Sequence, residues 1–150
     1  MEQMAEKAPP RPGIDAFHKE RSKCVDAFAS LEAAVISLLT SADISPKADS
    51  FGQKLASLAK AKPSPQLSKA VIDKLPDILV RCDEIRELRN DIIHARLKLA
   101  VICDVHMACF INLRDDLKDC QNARLLTLEG MRALAARILH LTAELEGIRR

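Results

Sequence analysis

The chain of 150 residues has no tryptophan, no tyrosine and only four phenylalanines. Too few rings are present to build a stacking platform for single-stranded bases. An excess of one charge is also missing, since 23 Lys and Arg against 21 Asp and Glu leave a formal net charge of +2. Bulk electrostatics therefore recruit no nucleic acid, and any RNA contact must come from a local patch. No two cysteines are spaced CxxC, and the five present (Cys24, Cys82, Cys103, Cys109 and Cys120) are an odd number. The segment Met1 to Gly13 is polar and proline-rich and lacks the apolar core of a secretory signal. No uninterrupted apolar run approaches membrane-spanning length. The expectation is a reduced, cytoplasmic protein with no membrane partner, whose cysteines act mostly as small core hydrophobes.

What is present fits a single domain over 14–150 behind a disordered tail, 1–13. Hydrophobic residues make up 48% and charged residues 29%, a globular composition rather than a disordered one. Helical spacing of Ile14, Phe17, Val25, Phe28, Leu31, Val35 and Leu38 predicts a long first helix ending near Thr40. Ser50 and Gln53 fit a capping box for a short second helix with Phe51, Leu55 and Leu58 inward. Ser64-Pro65 is read as the start of the next helix. That helix runs to Pro76, where it kinks or a new one begins. Ile78, Cys82, Ile85, Leu88 and Ile92 form the apolar stripe of the helix that follows. Thr127 is the expected N-cap of the last helix, with Met131, Leu134, Ile138, Leu141, Leu145 and Ile148 as its seam. That seam is either core or a dimer surface.

Between these helices the period changes. From Leu97 to Leu113 every odd position is apolar, with no exception. Alternation at period two predicts strands near 96–102 and 107–113 turning around Asp104. A helix stays open as the alternative, because the turn has no Gly, Asn or Pro. Arg114 to Asn122 is read as a loop. The expected fold is mainly α, a bundle of about five helices with a short β-hairpin before the last one.

The chemistry concentrates in Arg89-Asn90-Asp91-Ile92-Ile93-His94. An Arg that grips phosphate and a His that moves a proton near neutral pH are the minimum for cutting RNA without a metal. RNA supplies its own nucleophile, the 2′-hydroxyl. Five residues along a helix is a rotation of about 140°, so Arg89 and His94 do not share a face, whereas Asn90 and His94 do. A joint site needs either a helix that ends or distorts near His94, or a two-fold dimer that brings two copies together.

Arg89-Asn90-x-x-x-His94 resembles the Arg-x4-6-His signature of the HEPN superfamily, in which a polar residue follows the Arg. The order of elements is similar too. The resemblance implies a helical homodimer, in many members a metal-independent endoribonuclease, with Arg89, Asn90 and His94 at the subunit cleft and no cofactor or metal. It also implies toxin, abortive-infection or other defence roles, an RNA substrate, and an antitoxin or regulatory protein as a further partner. One toxin subgroup has Tyr two places after the His, where this chain has Arg96, so that subgroup is not expected. Some members carry an acid shortly upstream of the Arg, a place that Glu84 or Glu87 would fill. Arg11 and His18 also satisfy the spacing but flank the tail, and that pair is coincidental.

Other accounts compete. A His at a helix C-terminus interacts well with the helix dipole with no catalytic role. Arg89 has no acid three or four places away, so a partner for it would come from another helix. A non-catalytic HEPN-like module binding RNA, a nucleotide or a protein is the competing class. Cys103, His106, Cys109 and Cys120 match no common zinc module. His18 and His140 are expected on helix surfaces. The Arg-rich face with Arg81, Arg86, Arg89 and Arg96 is usually just solvated, and lining an RNA path is the weaker alternative.

Overall fold

The computed structural model describes residues 10–46, 50–111 and 123–148. The expected loop at 114–122, most of the tail, Leu113 and Cys120 lie outside the described residues. Helix α1, Ile14–Ser41, forms the floor. Phe17, Cys24, Phe28, Leu31, Val35 and Leu38 recur at helical spacing and are almost fully buried. Helix α5, Leu128–Gly147, packs on this face with Met131, Leu134, Ile138, Leu141 and Leu145 buried. Cys24 meets Met131 and Glu20 meets Arg132, so the first halves of the two helices lie side by side. The last-helix seam is therefore core. By length and composition α1 also qualifies as a membrane-crossing helix, but its apolar face is spent on this packing.

Helix α2, Phe51–Ala59, has the expected capping box: Gln53 N donates to Ser50 Oγ at 3.3 Å, and Ser50 N donates to Gln53 Oε1 at 2.8 Å. Helix α3, Lys69–Glu84, corrects two expectations. It starts at Ser68, whose hydroxyl accepts from Val71 N at 3.3 Å, and not at Ser64-Pro65. Ser64 and Leu67 instead close a tight turn through paired backbone bonds of 2.8 and 3.1 Å. Pro76 sits inside α3 on its exposed side and does not end it. The break falls at Ile85, with φ −95° and ψ 0°, where no proline or glycine marks it. The apolar stripe read as one helix is thus shared by α3 and α4, Arg86–His94. Ile78, Cys82, Ile85 and Ile92 are buried across the break.

The alternating segment is a hairpin, which removes the helical alternative. Strand β1 is Arg96–Ile102 and β2 is Val105–Ile111, two residues earlier at its start than expected. They are antiparallel, pairing Leu97 with Phe110, Leu99 with Ala108 and Val101 with His106. The turn is Cys103-Asp104, both at positive φ (48° and 63°). This is the primed geometry that a two-residue hairpin needs, and here it is made without glycine. A third strand, β3 (Arg124–Leu126), pairs with β2. It is too short to show a period and was not expected.

The register has a consequence for the odd-position pattern. Each pair joins an odd residue of β1 to an even residue of β2, and paired residues share a face. The odd residues of β1 thus face the helices, whereas the odd residues of β2 face away. One unbroken alternation in the sequence supplies apolar side chains to both sides of the sheet. Leu97, Ala108 and Phe110 are buried on the inner side.

Positive φ at a non-glycine residue costs of order 1 kcal/mol or more. Replacing Cys103-Asp104 by Asn-Gly is expected to raise unfolding stability by about 1 kcal/mol, measured by urea titration. No gain would mean that the turn is unstrained.

Candidate functional site

Helix α4 is nine residues long and carries the whole candidate motif. It is held from three sides. From α1, Arg21 donates Nε to Ile92 O at 2.8 Å, and Nη2 to Ala95 O at 2.8 Å and Ile93 O at 3.3 Å. These carbonyls are at the helix end, where no amide follows to bond them. A guanidinium there also complements the negative end of the helix dipole. Its other side lies over Phe110, 5.8 Å from the ring centroid. From β3, Arg124 Nε donates to Asp91 Oδ2 at 2.7 Å. From α2, Gly52 leaves room for the Arg86 stem, since a Cβ there would come within 2.9 Å of Arg86 Cδ.

Arg89 points between α1 and α2. Its Nη2 donates to Glu32 Oε2 at 2.9 Å, and its guanidinium lies over Phe51, 5.3 Å from the ring centroid. Nη1 reaches Asn90 Oδ1 at 3.5 Å, while Nε is buried without a partner. The side chain keeps 16% of its surface exposed. Glu32 also accepts from Lys54 Nζ at 2.7 Å. Burial pushes the Glu32 carboxyl up, but the Lys54 hydrogen bond and the charges of Arg89 and Lys54 outweigh it and hold it below its ordinary value. The acid beside Arg89 is therefore Glu32. Glu84, one of the two upstream candidates, turns to Arg137 at 2.9 Å, and Glu87 is exposed. Nothing local pointed to Glu32, which is 57 residues earlier on another helix.

Asn90 and His94 are exposed. His94 is the last residue of α4, and no hydrogen bond or ion pair holds its ring among the described residues. Asn90 touches Arg89 and lies one turn before His94, so it stands between an Arg89 largely enclosed by α1 and α2 and a His94 that is exposed. The helix stays regular to His94, so Arg89 and His94 keep the angular separation of a straight helix. Two cavities of about 580 and 670 Å3 are lined by other residues. Of the other arginines, Arg81 is taken by Glu144 and Asp77, and Arg86 by Asp83. Arg96 is exposed, with no ion pair among the described residues.

The cysteines divide. Cys24 and Cys82 are buried, and burial first of all pushes both thiols up to about 11, which makes them inert. Cys103 is exposed in the turn and Cys109 is half-buried. His106 faces inward, its Nδ1 2.9 Å from Pro12 O, on the sheet side opposite Cys109. No protein family, curated protein or solved structure matches the chain.

A carboxyl held low in the folded state contributes stability above its unfolded pKa, near 4.5, and that contribution is lost as pH falls through the lower folded value. Glu32→Gln is therefore expected to cost of order 1 kcal/mol at neutral pH and to converge on wild type only in acid, once pH has fallen through the lowered folded value. Urea unfolding at neutral and acid pH checks this, and a pH-independent difference would count against it. Arg21→Met keeps the stem and removes three charge-assisted bonds. It is expected to cost about 2–3 kcal/mol and to speed amide exchange selectively from Ile92 to Leu97. Uniform exchange across the chain would contradict a local capping role.

Proposed function

We propose that the chain is a metal-independent endoribonuclease of the HEPN type that works as a homodimer, with the Arg89–Asn90–His94 strip of each copy at the subunit boundary. The observation that supports this best is the state of His94. It stands at the exposed end of a helix clamped by Arg21, unpartnered among the described residues, one turn beyond an Asn that touches Arg89. A clamped helix end fixes the backbone from which the ring projects, and with no partner among the described residues both ring nitrogens stay open to a substrate.

The reaction needs three things of these residues. A His94 nitrogen accepts the proton of the 2′-hydroxyl as its oxygen attacks the adjacent phosphorus. The bond from phosphorus to the 5′-oxygen breaks, leaving a 2′,3′-cyclic phosphate, and that oxygen takes a proton from a protonated imidazole. Arg89 Nη1, bound among the described residues only by the long contact to Asn90, is the donor offered to the phosphorane oxygens. Lys54 and Arg89 together outnumber the single carboxylate of Glu32, so the cluster keeps a net positive charge toward an anion. A defence or toxin role, with an antitoxin or regulator as partner, belongs to the same proposal.

The Arg89–Glu32 pair favours the competing proposal, a non-catalytic module. Arg89 is already engaged, and a phosphate would have to share it. RNA cleavage separates the two. Wild-type protein in chelator is expected to cut generic RNA, and His94→Ala and Arg89→Ala are each expected to lose about 100-fold or more. RNA binding without cleavage favours the module. Identical behaviour of both variants and wild type in cleavage and binding would sink both proposals.

A further inference from the structure

We infer that the outer face of the sheet is a self-association surface, on which a second copy of this chain stacks with its strands reversed. Antiparallel sheets that face solvent on one side alternate apolar and polar residues. This sheet does not. Its outer face carries Ile102, Val105, Met107, Cys109, Ile111 and Leu125. Ile102, Val105 and Leu125 are 44, 47 and 39% exposed. On the inner side of the same hairpin, Leu99 and Val101 also extend past the helices, at 38 and 55% exposure. Three of the large apolar side chains exposed among the described residues, Ile102, Val105 and Leu125, thus lie on the outer face, and Leu99 and Val101 lie on the inner side of the same sheet. The others, Val80 and Leu139, stand apart on helices α3 and α5. Apolar surface gathered in this way marks an interaction site more than scattered residues do.

Charge selects the occupant. The two charged residues of the outer face, Arg96 and Lys98, are both at the base of β1. They are exposed and make no ion pair among the described residues. At the opposite end is Asp104, its side chain 87% exposed and in a long, 3.7 Å ion pair with Arg11, 60% exposed, which the reversed copy would compete with. The face is therefore basic at one end, apolar in the middle and acidic at the tip. Such a strip complements a copy of itself turned end for end. A two-fold axis parallel to the sheet and across the strands makes that arrangement, and each Asp104 then meets the other copy's Arg96 and Lys98. An axis along the strands would set basic end on basic end.

Size sets the strength. Seven residues at ~3.3 Å and three strands at ~4.8 Å give a face of roughly 23 by 14 Å, or on the order of 650 Å2 over both copies before side-chain relief is counted. That is below the usual range of stable interfaces, so the dimer is a weak one, of micromolar class. In this arrangement the two His94 rings lie near opposite ends of the joined sheets, so there are two separate strips rather than one shared strip. This contact is therefore distinct from a shared Arg89–His94 cleft, and its test by surface variants uses no RNA, so either proposal can fail alone.

Sedimentation of the full chain from about 1 to about 200 µM tests it. Wild type is expected to pass from monomer to dimer, more weakly at high salt. Val105→Lys and Ile102→Lys are expected to weaken the dimer at least tenfold while circular dichroism melts stay close to wild type. Asp104→Lys is expected to weaken it several-fold, with recovery when combined with Arg96→Asp and Lys98→Asp. A chain that remains monomeric leaves the face to another partner and overturns the proposal. So does a dimer that ignores Val105→Lys and Ile102→Lys. A dimer that responds to those two but shows no charge-swap recovery overturns the reversed stacking.

Discussion

Burial of one side of α1 is the constraint on which the structure depends. Phe17, Phe28, Leu31, Val35 and Leu38 are almost entirely removed from water, each contributing about 2–3 kcal/mol. The same helix sends Glu20 to Lys23 and Arg132, Arg21 to the end of α4, and Glu32 to Lys54 and Arg89. Part-exposed ion pairs are worth about 0–1 kcal/mol apiece. Apolar packing therefore holds the elements together, while the polar contacts from α1 decide where α4 points.

That division shapes the candidate site. Helix α4 is too short to be stable alone, and three neighbours fix it. Arg21 closes its end, Arg124 and Asp91 tie it to β3, and Arg89 anchors it over Phe51 and Glu32. The result places Arg89 half inside and His94 outside. The same Arg89 contact that orients the helix competes with any phosphate, and this single ion pair separates the catalytic proposal from the binding one.

The sheet shows how a local pattern takes its meaning from register. Apolar residues at every odd position from 97 announced strands correctly. With a two-residue turn, that phase lands inward on β1 and outward on β2. A helix would have spread the same odd positions around its whole circumference. The hairpin leaves an apolar stripe on its outer face, the basis of the proposed self-association.

By itself the sequence determined what depends on neighbours along the chain: the long first helix, the Ser50–Gln53 capping box, the Thr127 cap of the last helix, the core seam of α5 and the alternation of the hairpin. Period and cap chemistry are set within a few residues, so they can be read there. The candidate motif is likewise a local spacing, so it could be named from the sequence, while its role stays a proposal. Only the tertiary structure decided the break at Ile85, the passage of α3 through Pro76, the third strand, the Glu32 partner of Arg89 and the Arg21 clamp. Each of these balances a local preference against a contact made by residues far away in the chain, and a contact between distant residues has no spacing to betray it.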